Sequence, residues 1–167
     1  NKLTKLNIEK SLQNKESRGH LENGAREKYS SVNNTTHNWD KFYRRHRTNF
    51  FKDRHYMEDE FTELESFSGN NTVCSILEAG CGVGNTVLPL IKKHSSIHFF
   101  ATDFSQKAIQ LLVSKISQLT KHDSKRVEAF VGDISSGTII PLFRKLKILG
   151  NMNIVMMIFS LSAIPPE

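Results

Sequence analysis

The residues best suited to chemistry in this chain form a glycine-rich loop that follows an apolar run and an acid. Residues 76–85 read Ile-Leu-Glu-Ala-Gly-Cys-Gly-Val-Gly-Asn, so glycine occupies every second position from Gly80 to Gly84. Glycine permits a tight turn and lets the backbone approach a ligand closely, which is how a parallel α/β sheet opens a nucleotide-type cofactor site. The loop therefore predicts a cofactor site at the end of a strand.

The spacing of the glycines separates two classes of cofactor. Dinucleotide-binding enzymes need Gly-x-Gly-x-x-Gly, which places the amides of a helix N-terminus against a pyrophosphate. Here the pattern is acid-x-Gly-x-Gly-x-Gly, with Glu78 as the acid and Asn85 where the dinucleotide pattern has its last glycine. An acid just before the loop favours a ligand with a positive amino group. The spacing predicts S-adenosylmethionine, with an NAD enzyme as the alternative.

Acids also follow the next two apolar runs along the chain. Asp103 ends the second run, where it is placed to accept hydrogen bonds from both ribose hydroxyls of an adenosine ligand. Asp133 ends the third run, a position that suits the exocyclic amine of adenine, and Ile134 then supplies a backbone amide and an apolar contact. We therefore expect Glu78, Asp103 and Asp133 to lie along one rim of the sheet.

Apolar runs alternate with amphipathic stretches from residue 73 onward, which is typical of a doubly wound α/β fold. The pattern predicts strands at residues 73–77, 97–102, 127–131 and 154–159, and helices at 85–93, 105–119 and around 142–148. The fourth run is nearly all apolar, as expected for a parallel strand that is covered on both faces. We predict an α/β sheet of about four parallel strands, with its binding crevice between the first and fourth strands.

Composition divides the chain into three predicted parts. They are a flexible polar tail at 1–37, a helical segment at 38–71 that we call the aromatic-basic segment, and the sheet region at 72–167. Trp39, Phe42 and Tyr43 have helical spacing and share one face. Aromatic side chains among Arg and Lys suit the stacking of bases and the binding of phosphates, but they equally suit a helix packed on the sheet. Both interpretations stay open.

Bulk properties narrow the function classes further. The 167 residues carry a net charge of +6 with a pI of about 9.4, which favours polyanions such as nucleic acid, although solubility alone explains many basic domains. The two cysteines, Cys74 and Cys81, fit neither a disulfide framework nor a zinc site, and we expect reduced thiols in a cytosolic compartment. The apolar runs are far shorter than the ~20 residues of a membrane span.

Candidate catalytic groups are few. His46 and His55 are the available bases, but histidines in a basic stretch are more often surface or packing residues. The sequence shows neither a Ser-His-Asp or Cys-His set nor a metal-ligand cluster. We therefore assign no catalytic residue and no metal site.

Several motifs together resemble those of a known family, the methyltransferase-like tRNA 3-methylcytidine methyltransferases. They are Asn-Trp-Asp-Lys-Phe-Tyr at 38–43, Asn-Phe-Phe-Lys-Asp-Arg-His-Tyr at 49–56, Leu-Glu-Ala-Gly-Cys-Gly-Val-Gly-Asn at 77–85, Asp-Phe-Ser at 103–105 and Ile-Phe-Ser-Leu-Ser-Ala-Ile at 158–164. The resemblance implies a Rossmann-like class I fold and an S-adenosylmethionine-dependent enzyme. Such an enzyme methylates N3 of a cytidine in the tRNA anticodon loop.

The resemblance also implies particular site residues and partners. Carried over by position, the cofactor-binding residues are Trp39, Tyr43, Gly80, Asp103, Asp133, Ile134 and Ile158. The string from Phe50 to His55 is expected near the RNA entrance. The implied partners are tRNA and an aminoacyl-tRNA synthetase or another delivery protein, with no membrane. The implied location is the cytoplasm, with the nucleus as a second site.

The chain departs from the family pattern at three places. Asn153 replaces the usual Asp before the fourth strand, and the stretch between Asp103 and Asp133 is a few residues longer. The chain also ends at Glu167, where relatives continue, so we expect a C-terminally truncated domain with an incomplete sheet. Two alternatives therefore stay open, namely a non-catalytic RNA-binding fragment and a methyltransferase that acts on a small molecule or a protein.

Overall fold

A parallel sheet forms the centre of the chain, and the computed structural model describes residues 23–67, 73–135 and 137–161. Its strands are β1 (Cys74–Ala79), β2 (Ile97–Asp103), β3 (Val127–Val131) and β4 (Ile154–Met156). They lie side by side in the order β3-β2-β1-β4, with every pairing parallel. The prediction of an α/β sheet of four parallel strands is confirmed. The strand order reverses between β1 and β4, which is where open α/β sheets bind their ligands.

The helices lie before the sheet and between its strands. They are α1 (Asn23–His46), α2 (Met57–Glu60), α3 (Val87–Lys93), α4 (Gln106–Ile116), α5 (Lys121–Ser124) and α6 (Ile140–Lys145), with 3-10 turns at Thr62–Phe67 and Gly137–Ile139. α4 begins where predicted, because the Ser105 side chain accepts a hydrogen bond from the Ala108 amide at 3.1 Å. None of the helices in the described residues is long and apolar enough to span a membrane.

The central strands β1 and β2 are covered on both faces. Successive side chains of a strand point to opposite sides, so each strand contributes to two clusters. On one face, Ile76 and Phe99 pack in a fully buried cluster with apolar residues of α3 and α4. On the other face, Leu77 and Phe100 pack against Phe143 of α6. This double layer fixes the strand ends, and therefore the loops that follow them.

β4 is shorter and more exposed than the sequence predicts. It pairs with β1 over Ile154–Met156 only, and Val155 is 59% exposed, so the expectation of a strand at 154–159 covered on both faces is wrong. β4 is an edge strand among the described residues. The left-handed φ of 57° at Phe159 also turns the chain out of the extended conformation. Asn153 starts the pairing, because its side-chain oxygen accepts from the Ser75 amide at 2.8 Å.

Helix α1 differs from the prediction at its start. It begins at Asn23, so residues 23–37 are helical where a flexible tail is predicted, and the predicted boundary at residue 38 falls inside the helix. Residues 1–22 lie outside the described part. After α1, Met57 and Leu64 are each 1% exposed in the main core, which ties the chain between α1 and β1 to the sheet region.

Candidate functional site

A pocket opens at the carboxyl ends of all four strands, between two walls. The strand-end wall consists of the loops after β1 to β4, and it contributes Gly80, Cys81, Gly82, Val83, Asn85, Asp103, Phe104, Gly132, Asp133, Ile134, Ser135, Ile158, Phe159 and Ser160. The helical wall consists of α1 and the segment after it, and it contributes Thr35, Trp39, Tyr43, Phe51 and Arg54. All seven residues proposed from the sequence for the cofactor therefore meet in one pocket.

The glycine loop closes tightly over the end of β2. The amides of Gly80 and Cys81 both donate to the Thr102 carbonyl, at 2.8 and 3.0 Å. Gly82 has a φ of +53°, and a Cβ there would lie 2.6 Å from the Tyr43 hydroxyl oxygen. Glycine is therefore needed at Gly82 both for its backbone conformation and for the close approach of the helical wall.

Asp103 is fixed at the base of the pocket by backbone amides. Its Oδ2 accepts from the Gly82 amide at 2.9 Å and its Oδ1 from the Ser105 amide at 2.8 Å, with 6% of the residue exposed. Burial raises the pKa of Asp103 to about 6, although these two amides favour the charged form. A carboxylate oxygen accepts more than one hydrogen bond, so Asp103 keeps capacity for hydroxyl groups of a ligand.

Asp133 and Ile134 lie where the strand-end argument places them, in the loop after β3. Asp133 Oδ1 accepts from the amide and the hydroxyl of Ser135, at 2.9 and 2.6 Å, which holds the carboxylate in a short local turn. Ile134 is half-buried and packs against the core cluster that contains Phe130. Together they place an acid beside an apolar surface in the strand-end wall.

Glu78 does not lie on the rim, in contrast to the prediction. It is 1% exposed and it does not line the pocket. Burial raises the pKa of Glu78 to about 7, even though the nearby Thr86 hydroxyl and Arg54 guanidinium favour the charged form. The side chain points beneath the loop because Glu78 is still a strand residue whose neighbours alternate in direction.

The helical wall presents aromatic rings to the pocket. Trp39 and Tyr43 lie with ring centroids 5.9 Å apart, and Phe42 meets both rings edge-on. Burial raises the pKa of Tyr43 above its usual range, and the nearby Asp103 adds to this effect. The spacing of Trp39 and Tyr43 had predicted a shared face, and Thr35 lies on the same face one turn earlier. Sequence reasoning missed Thr35, although the helical period contained the signal.

Arg54 attaches the segment after α1 to the glycine loop. Its Nη1 donates to the Thr86 hydroxyl at 2.9 Å, and its amide donates to the Asn85 carbonyl at 2.8 Å. The Asn85 side chain donates in turn to the Phe51 carbonyl at 2.9 Å. The guanidinium also lies 5.4 Å from the centre of the Phe159 ring, a cation–π distance. These contacts bring the helical wall and the strand-end wall together at the pocket mouth.

Local charge spacing favours a surface pair between Arg54 and Asp53 or Glu58, but the described residues do not form one. Glu58 instead bonds to Lys93 and His94 at the end of α3, and His94 is buried. Both partners of Glu58 are distant in sequence, which is why local charge spacing missed them. Asn85 and Ser160 were also missed, although Ser160 follows a strand end and its hydroxyl donates to the Ala79 carbonyl at 2.8 Å.

The mouth of the pocket carries exposed aromatic and basic groups. Phe50 is 57% exposed and Phe159 is 77% exposed, and Lys52 is exposed as well. His46 stacks against Phe42 and Phe50, at centroid distances of 4.7 and 5.2 Å, and it does not line the pocket. The aromatic-basic segment therefore packs on one side and presents rings and charges on the other.

Comparison with known proteins connects this geometry to a family. The family model described as a methyltransferase domain matches residues 77–167, which contain the glycine loop, Asp103, Asp133 and β4. This chain belongs to the methyltransferase domain family. The match begins within β1, and the aromatic-basic segment precedes it.

Curated relatives extend the match to the helical wall. The chain is 38% identical over 131 residues to the tRNA N(3)-cytidine methyltransferase METTL6 of Homo sapiens, covering 78% of this chain and 43% of that protein. It is 41% identical over 134 residues to the tRNA N(3)-methylcytidine methyltransferase Mettl2 of Drosophila melanogaster, covering 77% of this chain and 39% of that protein. It is also 38% identical over 133 residues to trm141 of Schizosaccharomyces pombe, another tRNA N(3)-methylcytidine methyltransferase, covering 77% and 48%.

These matches confirm the resemblance that the motifs indicated. The chain spans less than half the length of each of the three relatives. A glycopeptide N-methyltransferase, MtfA, superposes with a TM-score of 0.49 at 14% identity, over 66% of this chain and 38% of that one. A superposition this partial indicates nothing about the function of the chain.

Proposed function

We propose that the chain is the cofactor-binding part of an S-adenosylmethionine-dependent enzyme that methylates N3 of a cytidine in tRNA. The observation that carries the proposal is that the strand-end acids and the aromatic-basic segment form opposite walls of one pocket. A cofactor bound by the strand-end wall then faces a substrate bound by the helical wall. The names of the curated relatives support the same assignment.

The chemistry of the pocket fits an adenosine cofactor. Asp103, fixed by two amides, accepts hydrogen bonds from the ribose hydroxyls, and Asp133 with Ile134 receives the adenine ring. Gly80 provides close backbone approach, Trp39 and Tyr43 cover the ligand, and Ile158 adds an apolar contact; these remaining assignments rest on the resemblance and on the shared pocket.

Methyl transfer to N3 needs little acid–base catalysis from the protein. When bound, S-adenosylmethionine supplies an electrophilic methyl group on a sulfonium centre. Neutral cytosine already has a lone pair on N3, so no strong base is needed to create the nucleophile. The chain therefore contributes positioning and the exclusion of water.

The target base must leave its pair or stack before it reacts, since N3 lies on the Watson–Crick edge. Exposed aromatic rings and cations at the pocket mouth suit such a base and its phosphates. We assign this role to Phe50, Phe159 and Lys52, whose exposed side chains support it. Location in the anticodon loop, delivery by an aminoacyl-tRNA synthetase and a cytoplasmic or nuclear site follow from the resemblance alone and stay predictions.

A transfer assay tests the proposal directly. The chain is incubated with methyl-labelled S-adenosylmethionine and tRNA transcripts, and the product nucleosides are identified by mass spectrometry. We expect 3-methylcytidine, its loss when the target cytidine is replaced by uridine, and its loss with Asp103→Ala. Label that enters a protein extract but not tRNA would contradict the proposal and favour a protein substrate. A chain that binds tRNA but shows no cofactor-induced thermal shift would favour an RNA-binding fragment.

A further inference from the structure

Asp40 lies between two pocket residues of α1 but does not line the pocket itself. Its Oδ1 accepts from the Ser105 hydroxyl at 2.6 Å and from the Lys107 amide at 3.1 Å. Helix α4 is already capped by Ser105, whose Oγ accepts from the Ala108 amide. The Asp40 contacts therefore add a connection between α1 and the start of α4, beyond the cap that α4 supplies for itself.

This connection belongs to a closed ring of contacts around the pocket. From Asp40 it passes to Ser105, whose amide donates to Asp103, and Asp103 accepts from the Gly82 amide. Gly82 faces the hydroxyl of Tyr43. Tyr43 belongs to α1 and lies about one helical turn after Asp40, so the ring of contacts closes there. The ring thus joins the base of the ribose site to the helix that carries the aromatic cover.

We propose that Asp40 is a positioning residue that seats α1 on the pocket and thereby couples the aromatic cover to the Asp103 site. The proposal rests on the proposed function to the extent that an adenosine cofactor occupies this pocket. Without the Asp40 carboxylate, α1 retains the apolar packing of Tyr43, Trp39 and Phe42 in the cluster that contains Val83 and Ala108. Apolar contacts hold a helix near a surface but fix its rotation and height poorly, because they are not directional.

The chain contains a single tryptophan, and it is Trp39, so its fluorescence reports the seating of α1 directly. Acrylamide quenching of Trp39 in the ligand-free chain measures how far the helix opens. Calorimetry with S-adenosylhomocysteine measures the consequence for the pocket. Asp59→Ala is the matched control, because Asp59 is an exposed acid on α2 and does not line the pocket.

We expect Asp40→Ala to weaken the binding of S-adenosylhomocysteine by about tenfold or more, because hydrogen bonds to a charged group are lost. We also expect the quenching of Trp39 to increase. Asp40→Asn keeps an acceptor oxygen and is expected to restore most of both properties. Asp59→Ala should leave both unchanged. Affinity within about twofold of wild type together with unchanged quenching in Asp40→Ala would overturn the proposal.

A second variant protects the test against a folding defect. Asp40→Glu keeps the charge but moves the carboxylate by one methylene, so we expect a smaller version of both effects in a folded chain. Wild-type quenching and affinity in Asp40→Glu would count against a positioning role. If wild type itself does not bind S-adenosylhomocysteine, the proposed function fails. The quenching comparison, which needs no ligand, then still decides whether Asp40 seats α1.

Discussion

The two walls of the pocket are held in place by different kinds of contact. The strand-end wall is fixed by the backbone, since the amides of Gly80, Cys81 and Gly132 donate to carbonyls of β2. The helical wall is attached largely through side chains, such as Asp40 on Ser105 and Arg54 on Thr86. Apolar packing of Tyr43 and one backbone bond from Arg54 to Asn85 add to these contacts. One wall is therefore part of the sheet, while the other is a separate element docked onto it.

Because the two walls are held differently, changes in them should affect the stability of the chain and its ligand binding differently. A change in the strand-end wall disturbs loops that belong to the sheet, so folding and ligand binding should fall together. A change in the helical wall removes a docking contact and leaves the buried clusters around Phe99 and Phe100 intact, so binding should fall with little loss of stability. Substitutions in the two walls test whether stability and ligand binding respond separately.

Gly82→Ala should damage both walls at once. A left-handed φ costs a non-glycine residue about 1 kcal/mol, and the new Cβ would collide with the Tyr43 hydroxyl. We expect a lower melting temperature and a loss of S-adenosylhomocysteine affinity of about a hundredfold, measured by thermal unfolding and calorimetry. Gly137→Ala, where an added Cβ meets nothing within 4 Å, is the control and should change neither quantity. Normal affinity in Gly82→Ala would show that the walls do not meet here.

Glu78→Gln should change the pH dependence of stability. The pKa of Glu78 is raised from 4.5 to about 7 in the folded chain, so its protonated form is favoured by folding. The stabilising contribution is complete below the unfolded pKa and is lost as the pH rises towards 7. Across this window, the unfolding free energy of wild type should fall by roughly 3 kcal/mol relative to Glu78→Gln. Denaturant titrations from pH 4 to pH 8 give this difference, and parallel curves would contradict the buried position of Glu78.

The raised pKa of Asp103 predicts that ligand binding depends on pH, whereas the attachment of the helical wall does not. Its pKa of about 6 means that acidification below that value protonates the carboxylate and weakens its acceptance of ribose hydroxyls. We expect S-adenosylhomocysteine affinity to fall about tenfold between pH 7 and pH 5. Asp103→Asn should bind more weakly at pH 7 and lose most of this slope. An Asp103→Asn chain that keeps the wild-type slope would place the titrating group elsewhere.

The sequence predicted the strand-end wall well because that wall follows local rules. Acids and glycines at the ends of parallel strands meet at one edge, so Asp103, Asp133 and Gly80 were placed from the predicted strand ends alone. Glu78 shows where this rule stops, because it is a buried residue within β1, one position before the strand ends at Ala79, and not a loop residue.

The helical wall was predicted only in part because its contacts join distant residues. Helical spacing identified the shared face of Trp39 and Tyr43, but no local pattern indicated that Arg54 bonds to Thr86 or that Glu58 bonds to His94. The length of β4 was missed for a related reason, since its apolar sequence does not show that Val155 lies on a sheet edge.

The smallest expected effect belongs to Lys52, an exposed cation beside the pocket mouth. If the helical wall receives RNA, Lys52→Ala should weaken tRNA binding about threefold and lower the slope of log affinity against log salt by about 1. Lys145→Ala, an exposed lysine on α6, removes the same charge away from the pocket lining. An equal effect from both variants would mean that net charge alone attracts the RNA. A larger effect from Lys52, with unchanged unfolding, would show that the helical wall serves binding without supporting the fold.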